Sequence, residues 1–162
     1  MTKQRVLVVS DSHGKTDFLI EAIKKVEPDM MIHCGDVEGQ EDYISGLFQG
    51  PIYFVKGNCD NFSQKNENLC LTVGAHKVMI THGHRYGVGW DLQQLEYAAE
   101  EQGADVALYG HTHVPLVIKE ADGMVVMNPG SISYPRGQKR RPSYGVILVD
   151  EEGELSYSIC YL

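Results

Sequence analysis

Two kinds of apolar pattern alternate along the first half of this chain. Val6-Leu7-Val8-Val9, Met30-Met31-Ile32 and Ile52-Tyr53-Phe54-Val55 are short and nearly continuous, as expected of strands buried on both faces. Between the first two, Phe18, Leu19, Ala22, Ile23 and Val26 recur at helical spacing. Thr16 is placed to cap that helix, Lys24 and Lys25 suit its last turn, and Pro28 stops it. Glu41 to Phe48 predicts a shorter helix, ended by Gly50-Pro51. Strand, helix, strand, helix, strand in that order predicts a parallel sheet.

The rest of the chain is richer in strands. Leu69–Val73 and Lys77–Thr81 flank Gly74-Ala75 and predict a hairpin. After a glycine-rich stretch from Gly83 to Gly89, Asp91 is expected to cap a helix, with Gln94 three residues on and Gly103 at its end. Asp105–Tyr109 is another buried strand. Leu116–Lys119 and Met124–Met127 meet at Asp122-Gly123, a type I′ turn signal. Tyr144–Val149 and Glu154–Tyr161 form a last hairpin, in which Leu155, Tyr157, Ile159 and Tyr161 share one face. These elements predict an α/β fold: a four-layer αββα sandwich, two mixed β-sheets face to face with helices on the outer faces. With 162 residues and no linker or repeat, residues 1–162 are expected to form a single domain.

Composition narrows the function. A net charge of -8 disfavours non-specific nucleic-acid binding. No run approaches the roughly 18 apolar residues of a membrane span, and Val6–Val9 is too short for a signal-peptide core, so no membrane partner and a cytoplasmic location are expected. Cys34, Cys59, Cys70 and Cys160 form no C-x-x-C pair. Cys34, Cys70 and Cys160 read as small buried hydrophobes. The one dense basic cluster is Arg136 with Lys139, Arg140 and Arg141.

The strand ends carry the chemistry. Val6–Val9 leads to Asp11 and His13, Met30–Ile32 to Asp36, Ile52–Val55 to Asn58, Val78–Ile80 to His82, and Val106–Leu108 to His111 and His113. In α/β sheets, ligands lie outside the carboxyl ends of the strands. Asp11-x-His13 and His111-x-His113 put both members of each pair on one side of extended backbone. Gly35, Gly57 and Gly83 beside Asp36, Asn58 and His82 free the chain to turn off the strand. Seven oxygen and imidazole donors without thiolate suit manganese, iron, zinc or nickel. They exceed the three protein ligands of one catalytic zinc and suit two ions sharing a carboxylate. Two carboxylates and a bridging hydroxide offset about three of the four positive charges, and the surplus favours an anionic phosphate ester.

The blocks Asp11-Ser12-His13-Gly14, Gly35-Asp36, Gly57-Asn58-Cys59-Asp60, Thr81-His82-Gly83-His84 and Gly110-His111-Thr112-His113 resemble the calcineurin-like metallophosphoesterase superfamily, in family order. The small single-domain bacterial and archaeal phosphodiesterases are most similar, sharing Asn128-Pro129-Gly130-Ser131 followed by Pro135-Arg136. The resemblance implies that Asp11, His13, Asp36 and His113 hold one divalent ion and Asp36, Asn58, His82 and His111 a second. A hydroxide bridging the pair, manganese first among candidates, would hydrolyse small phosphodiesters. Cys59 stands where much of the superfamily has the histidine that protonates the leaving group. Asp60 and His84 are therefore the catalytic candidates, Asn58 and Arg136 the substrate contacts.

Plainer readings stand beside these. Asn58 suits a turn, Asp60 a cap, and Lys139–Arg141 a solvated loop. His33 and His76 are read as non-ligands. Other functions remain open: a phosphomonoesterase or nuclease of the same superfamily, or a non-catalytic scaffold of the retromer-subunit type, whose fold is similar but whose metal site is degraded. Exposed β-edges near the C-terminus make a homo-oligomer an open expectation.

Overall fold

The computed structural model describes residues 2–162; Met1, within the expected domain, lies outside them. Five strands make the first sheet: β1 (Thr2–Val9), β2 (Met30–His33), β3 (Ile52–Phe54), β9 (Ser143–Asp150) and β10 (Leu155–Tyr161), in the order β10-β9-β1-β2-β3. β1 pairs parallel to β2 and β2 to β3, while β9 and β10 run antiparallel on the other flank. The second sheet holds β4 (Asn68–Val73), β5 (His76–Thr81), β6 (Val106–Leu108), β7 (Leu116–Lys119) and β8 (Val125–Asn128), in the order β4-β5-β6-β8-β7. Its centre, β5-β6-β8, is parallel, and β4 and β7 are antiparallel edges.

Burial on both faces explains the continuous apolar runs. Along β1, Val6 and Val8 face the second sheet and pack with Val78, Ile80, Leu108 and Met127. Leu7 and Val9 face outward onto Leu19 and Ala22 of α1 (Asp17–Val26) and Ile44 of α2 (Glu41–Ser45). Across the sandwich, Met79, Ala107 and Val126 pack beneath Leu95 and Ala99 of α3 (Gln93–Glu101). The four layers are thus those the pattern predicts. Each fully buried aliphatic side chain contributes about 1.5–3 kcal/mol; truncating Leu19 or Leu95 to Ala would destabilise the fold by about 2–5 kcal/mol.

Local details depart from the sequence reading where backbone geometry overrides pattern. Phe18 points away from the core and is 43% exposed, because α1 needs only Leu19, Ala22 and Val26 to cover its sheet. Thr16 makes no side-chain cap to α1, whose far end is closed by Glu27 in the left-handed region. The α3 cap falls on Leu92, and the Asp91 carboxylate instead accepts the Gln93 N–H at 3.1 Å. At Asp122-Gly123 only Gly123 has positive φ, and its N–H donates to Glu120 O, so the turn is not type I′. Cys34 is buried as expected, whereas Cys70 on an edge strand is exposed and Cys160 half-buried.

Candidate metal centre

The parallel strands β1, β2 and β3 end at one edge of their sheet, and β5 and β6 end facing them across the sandwich. The loops that follow bring Asp11, His13, Asp36, His82 and His113 together. Asp11, His13 and His113 form one potential ion-binding group, and Asp11, Asp36 and His82 a second. Asp11 Oδ1 lies 3.2 Å from His113 Nε2, 3.6 Å from His13 Nε2 and 3.7 Å from His82 Nε2. Asp36 Oδ2 lies 3.1 Å from His82 Nε2 and 3.6 Å from His13 Nε2. At the outer side, His111 Nδ1 is 3.1 Å from Asn58 Oδ1.

Residues of this kind rarely adopt the backbone found here. Asp11 (φ 54°), His13 (48°), Asp36 (60°), His111 (71°) and His113 (64°) all occupy the left-handed region. Such conformations are unfavourable for β-substituted residues and persist only where surrounding structure imposes them. The imposing bonds are visible: Asp11 N–H donates to Gly35 O and His13 N–H to Asp36 O, both at 2.9 Å, which turns the β1 loop onto the β2 loop. Glycine is required here for space as well as conformation. A Cβ on Gly35 (φ 104°) would stand 2.7 Å from His82 Nδ1. Gly57 has no positive φ, contrary to the role expected for it; a Cβ there would lie 2.5 Å from Asp36 N.

Hydrogen bonds aim each donor inward. Ser10 Oγ (2.6 Å) and the His111 N–H (3.0 Å) both donate to Asp11 Oδ2, leaving Oδ1 to face the histidines. His82 Nδ1 and His113 Nδ1 each donate to a backbone carbonyl at 2.7 Å, of Cys34 and Tyr134 respectively. This fixes Nε2 of both rings as the free, inward nitrogen. His13 is anchored differently, with Nδ1 3.4 Å from the Glu38 carboxylate. Asp60 is buried and accepts three backbone N–H groups: Asp36 and Gly57 on Oδ2, Glu38 on Oδ1, at 2.7–2.8 Å. It holds the β2 and β3 loops together.

Asp11 Oδ1 and His82 Nε2 are buried without any hydrogen-bond partner, despite their close neighbours. Unpartnered buried polar atoms are costly, and lone pairs converging from several sides are what a cation would satisfy. Ligand atoms about 2.1 Å from one ion stand about 3–3.4 Å apart; His113 to Asp11, His82 to Asp36 and His111 to Asn58 lie at that spacing, and the other pairs a few tenths of an ångström beyond it. The residues present therefore fit divalent ions. Charges agree. Burial alone pushes Asp11 up, but the imidazoles of His113, His13 and His82 hold it well below the usual carboxylate range. Burial also opposes ionisation of Asp36, and His82 more than compensates, lowering it. His13 is raised by Asp11; His82 is raised by Asp36 and Asp11 against its own burial. His111 is lowered by burial and by His82.

The remaining candidates sit around this cluster. His84 is half-buried, 5.4 Å from His82 between ring centroids, with its Nδ1 unpartnered and its pKa lowered by burial. Arg136 is exposed; its N–H donates to His113 O, and it shares a cavity of about 530 Å³ with His111 and Thr112. Lys139 and Arg141 lie instead against Tyr161. Cys59 is exposed, and its thiol is pushed up to about 11 by partial burial and by Asp36 and Glu38. His33 is no ligand but a buried support: Gly35 N–H donates to its Nδ1 at 3.1 Å, so Nε2–H faces Ser12 Oγ at 2.9 Å. Burial pulls its pKa down to about 4. The sequence reading missed Glu38 and Ser10 and gave no role to Ser131, whose Oγ donates to Asp11 O at 2.8 Å; adjacency of Ser10 to Asp11 and the Asn128-Pro129-Gly130-Ser131 block were the available signals.

The profile of the calcineurin-like phosphoesterase superfamily domain matches residues 5–152. A probable metallophosphoesterase of Bacillus subtilis is 39% identical over 149 residues, covering 91% of this chain and 85% of the relative. A predicted phosphoesterase from Streptococcus pneumoniae has a crystal structure that superposes with a TM-score of 0.83 at 36% identity, covering 99% of this chain and 91% of that one. The crystal structure of Vps29 from Entamoeba histolytica complexed with zinc has a TM-score of 0.75 at 22% identity, covering 97% and 98%; this likeness is one of fold.

Proposed function

Since the chain belongs to the calcineurin-like phosphoesterase superfamily, we propose that it is a metal-dependent phosphodiesterase acting on small diesters. The observation that carries this reading is the pair of unpartnered inward atoms, Asp11 Oδ1 and His82 Nε2, within a ring of carboxylate and imidazole donors. Asp11, His13, Asp36 and His113 would hold one ion, and Asp36, Asn58, His82 and His111 the other, with Asp36 shared. Manganese suits the oxygen and nitrogen donors, with iron, nickel or zinc as alternatives. Divalent ions held there would supply Lewis acidity: positive charge for the phosphoryl oxygens and a lowered water pKa, so that hydroxide is available as the nucleophile at neutral pH.

The chain's own residues do the rest. Asp60 braces the loops that carry Asp36 and Asn58, and acts through them. Arg136, exposed and lining one cavity with His111, would contact a non-bridging phosphate oxygen. His84, held neutral by burial, offers an N–H to the phosphoryl group. Cys59 stays a neutral thiol and donates a proton poorly. That favours diesters with good leaving groups over monoesters, whose extra charge asks for a stronger acid.

Metal-loaded protein should hydrolyse bis(p-nitrophenyl) phosphate, and Asp36→Asn should lower kcat by about 100-fold or more. Inertness of the loaded protein toward every activated ester, with stability indifferent to chelators, would instead favour the scaffold reading.

A further inference from the structure

Beside His13 the surface opens into a cavity of about 310 Å³. Glu38 and Cys59 form its inner wall, and ligating atoms of both lie within 4.8 Å of one on His13. The cavity therefore adjoins the proposed phosphoryl site directly. Its outer wall includes Glu41, Asn61 and Phe62. The volume lies within the range of small-ligand sites.

Two features of this wall need an explanation. Phe62 is 100% exposed, though a phenylalanine gains markedly from burial and the fold leaves it none. The lining also carries Glu38, Glu41 and Asp60 but no lysine, arginine or histidine. Asp60 is committed to three backbone N–H groups and one Glu38 oxygen faces His13, so Glu41 and the second Glu38 oxygen give the cavity its remaining acceptors. A second phosphate would meet an unfavourable field there. A flat ring would meet the Phe62 face, and N–H groups on its edge would meet carboxylate oxygens. The cavity on the other side, where Arg136 stands with Val114, Pro115 and Leu116, has the opposite charge.

We propose that the Phe62 cavity is a substituent subsite, taking an uncharged aromatic group that carries N–H donors, of the kind a nucleoside presents, on one arm of the diester. This rests on the phosphodiesterase reading for its place in the reaction. Stacking on an aromatic side chain is tolerant of which base is present; the carboxylates add a preference for N–H edges and against phosphorylated substituents.

The test compares two esters with one leaving group, the p-nitrophenyl ester of thymidylate and methyl p-nitrophenyl phosphate, on manganese-loaded protein. The ratio of their kcat/KM values should fall about tenfold in Phe62→Ala and persist in Phe62→Tyr. A thymidylate ester with an added sugar phosphate should be the poorer substrate, and Glu41→Gln should narrow that gap. Adenosine alone, titrated into the protein by NMR, should shift the amides of Asn61, Phe62 and Ser63, which reads the subsite without turnover. An unchanged ratio in Phe62→Ala, or adenosine shifts elsewhere or none, overturns the subsite while hydrolysis persists. Shifts on that loop without hydrolysis of any diester overturn the phosphodiesterase reading and leave the subsite standing.

Discussion

Asp11 and Asp60 are both buried carboxylates, and their hydrogen bonds separate their roles. Asp11 keeps one oxygen unpartnered toward the histidines, while Asp60 gives both of its oxygens to backbone N–H groups. Asp60→Ala would strand three buried or half-buried donors, and should lower stability by about 3 kcal/mol in a denaturant melt. It should weaken metal binding too, because Asp36 loses its brace. Protonation gives a second expectation. Asp11 raises His13, and Asp36 and Asp11 raise His82 despite burial, so the ion-free cluster holds protons that metal must expel. Apparent manganese affinity should therefore climb as pH rises from about 6 to 8, with proton release visible by calorimetry in buffers of different ionisation enthalpy. A pH-independent affinity would contradict this. Residue identities here were legible because each donor ends an apolar run. Their supports were not: nothing in the pattern around Glu38 or Ser131 shows that the one will reach His13 and the other the Asp11 carbonyl.

Strand order explains why the donors meet. Only the parallel strands deliver their C-terminal ends to a common edge, and the continuous apolar runs that mark them follow from burial on both faces. That much the pattern carries, because a two-residue period and full burial leave few alternatives. Turn geometry is less readable, since glycine marks a sharp bend and close contact alike. Gly57 is the instructive example: its φ is ordinary, and only the folded chain shows the β3 loop pressed onto Asp36. Gly57→Ala should consequently displace Asp36 and lower metal affinity by about 10- to 100-fold, while far-UV circular dichroism stays that of the wild type. An alanine protein that binds metal normally would mean that the loops do not need this approach. The caps of α1 and α3 were misread by one position or in kind, because local side-chain bonds compete within a single turn.

Across the molecule the two sheets pack through apolar faces, and at the pole opposite the donors a polar clasp joins them beside the Ala75 N–H bond to Gly153 O. His76 at the start of β5 lies 2.6 Å from Asp105, before β6, and 3.2 Å from Glu154, before β10. Asp105 and Glu154 raise its pKa above the ordinary 6.5, so its stabilisation is complete below that pH and fades as pH rises through the higher folded value. His76→Gln should therefore lower Tm most at about pH 5–6 and least at about pH 8, by an amount worth about 1 kcal/mol or less for so exposed a group. An equal loss at both pH values would show packing rather than charge. Among the described residues no helix is long and apolar enough to cross a membrane. The most direct measurement is anomalous scattering from crystals grown with manganese. Two peaks are expected, one among Asp11, His13 and His113, the other beside Asn58, His82 and His111, with the Asp36 carboxylate touching both. A single peak, or a pair to which Asp36 contributes nothing, would contradict the shared-carboxylate centre.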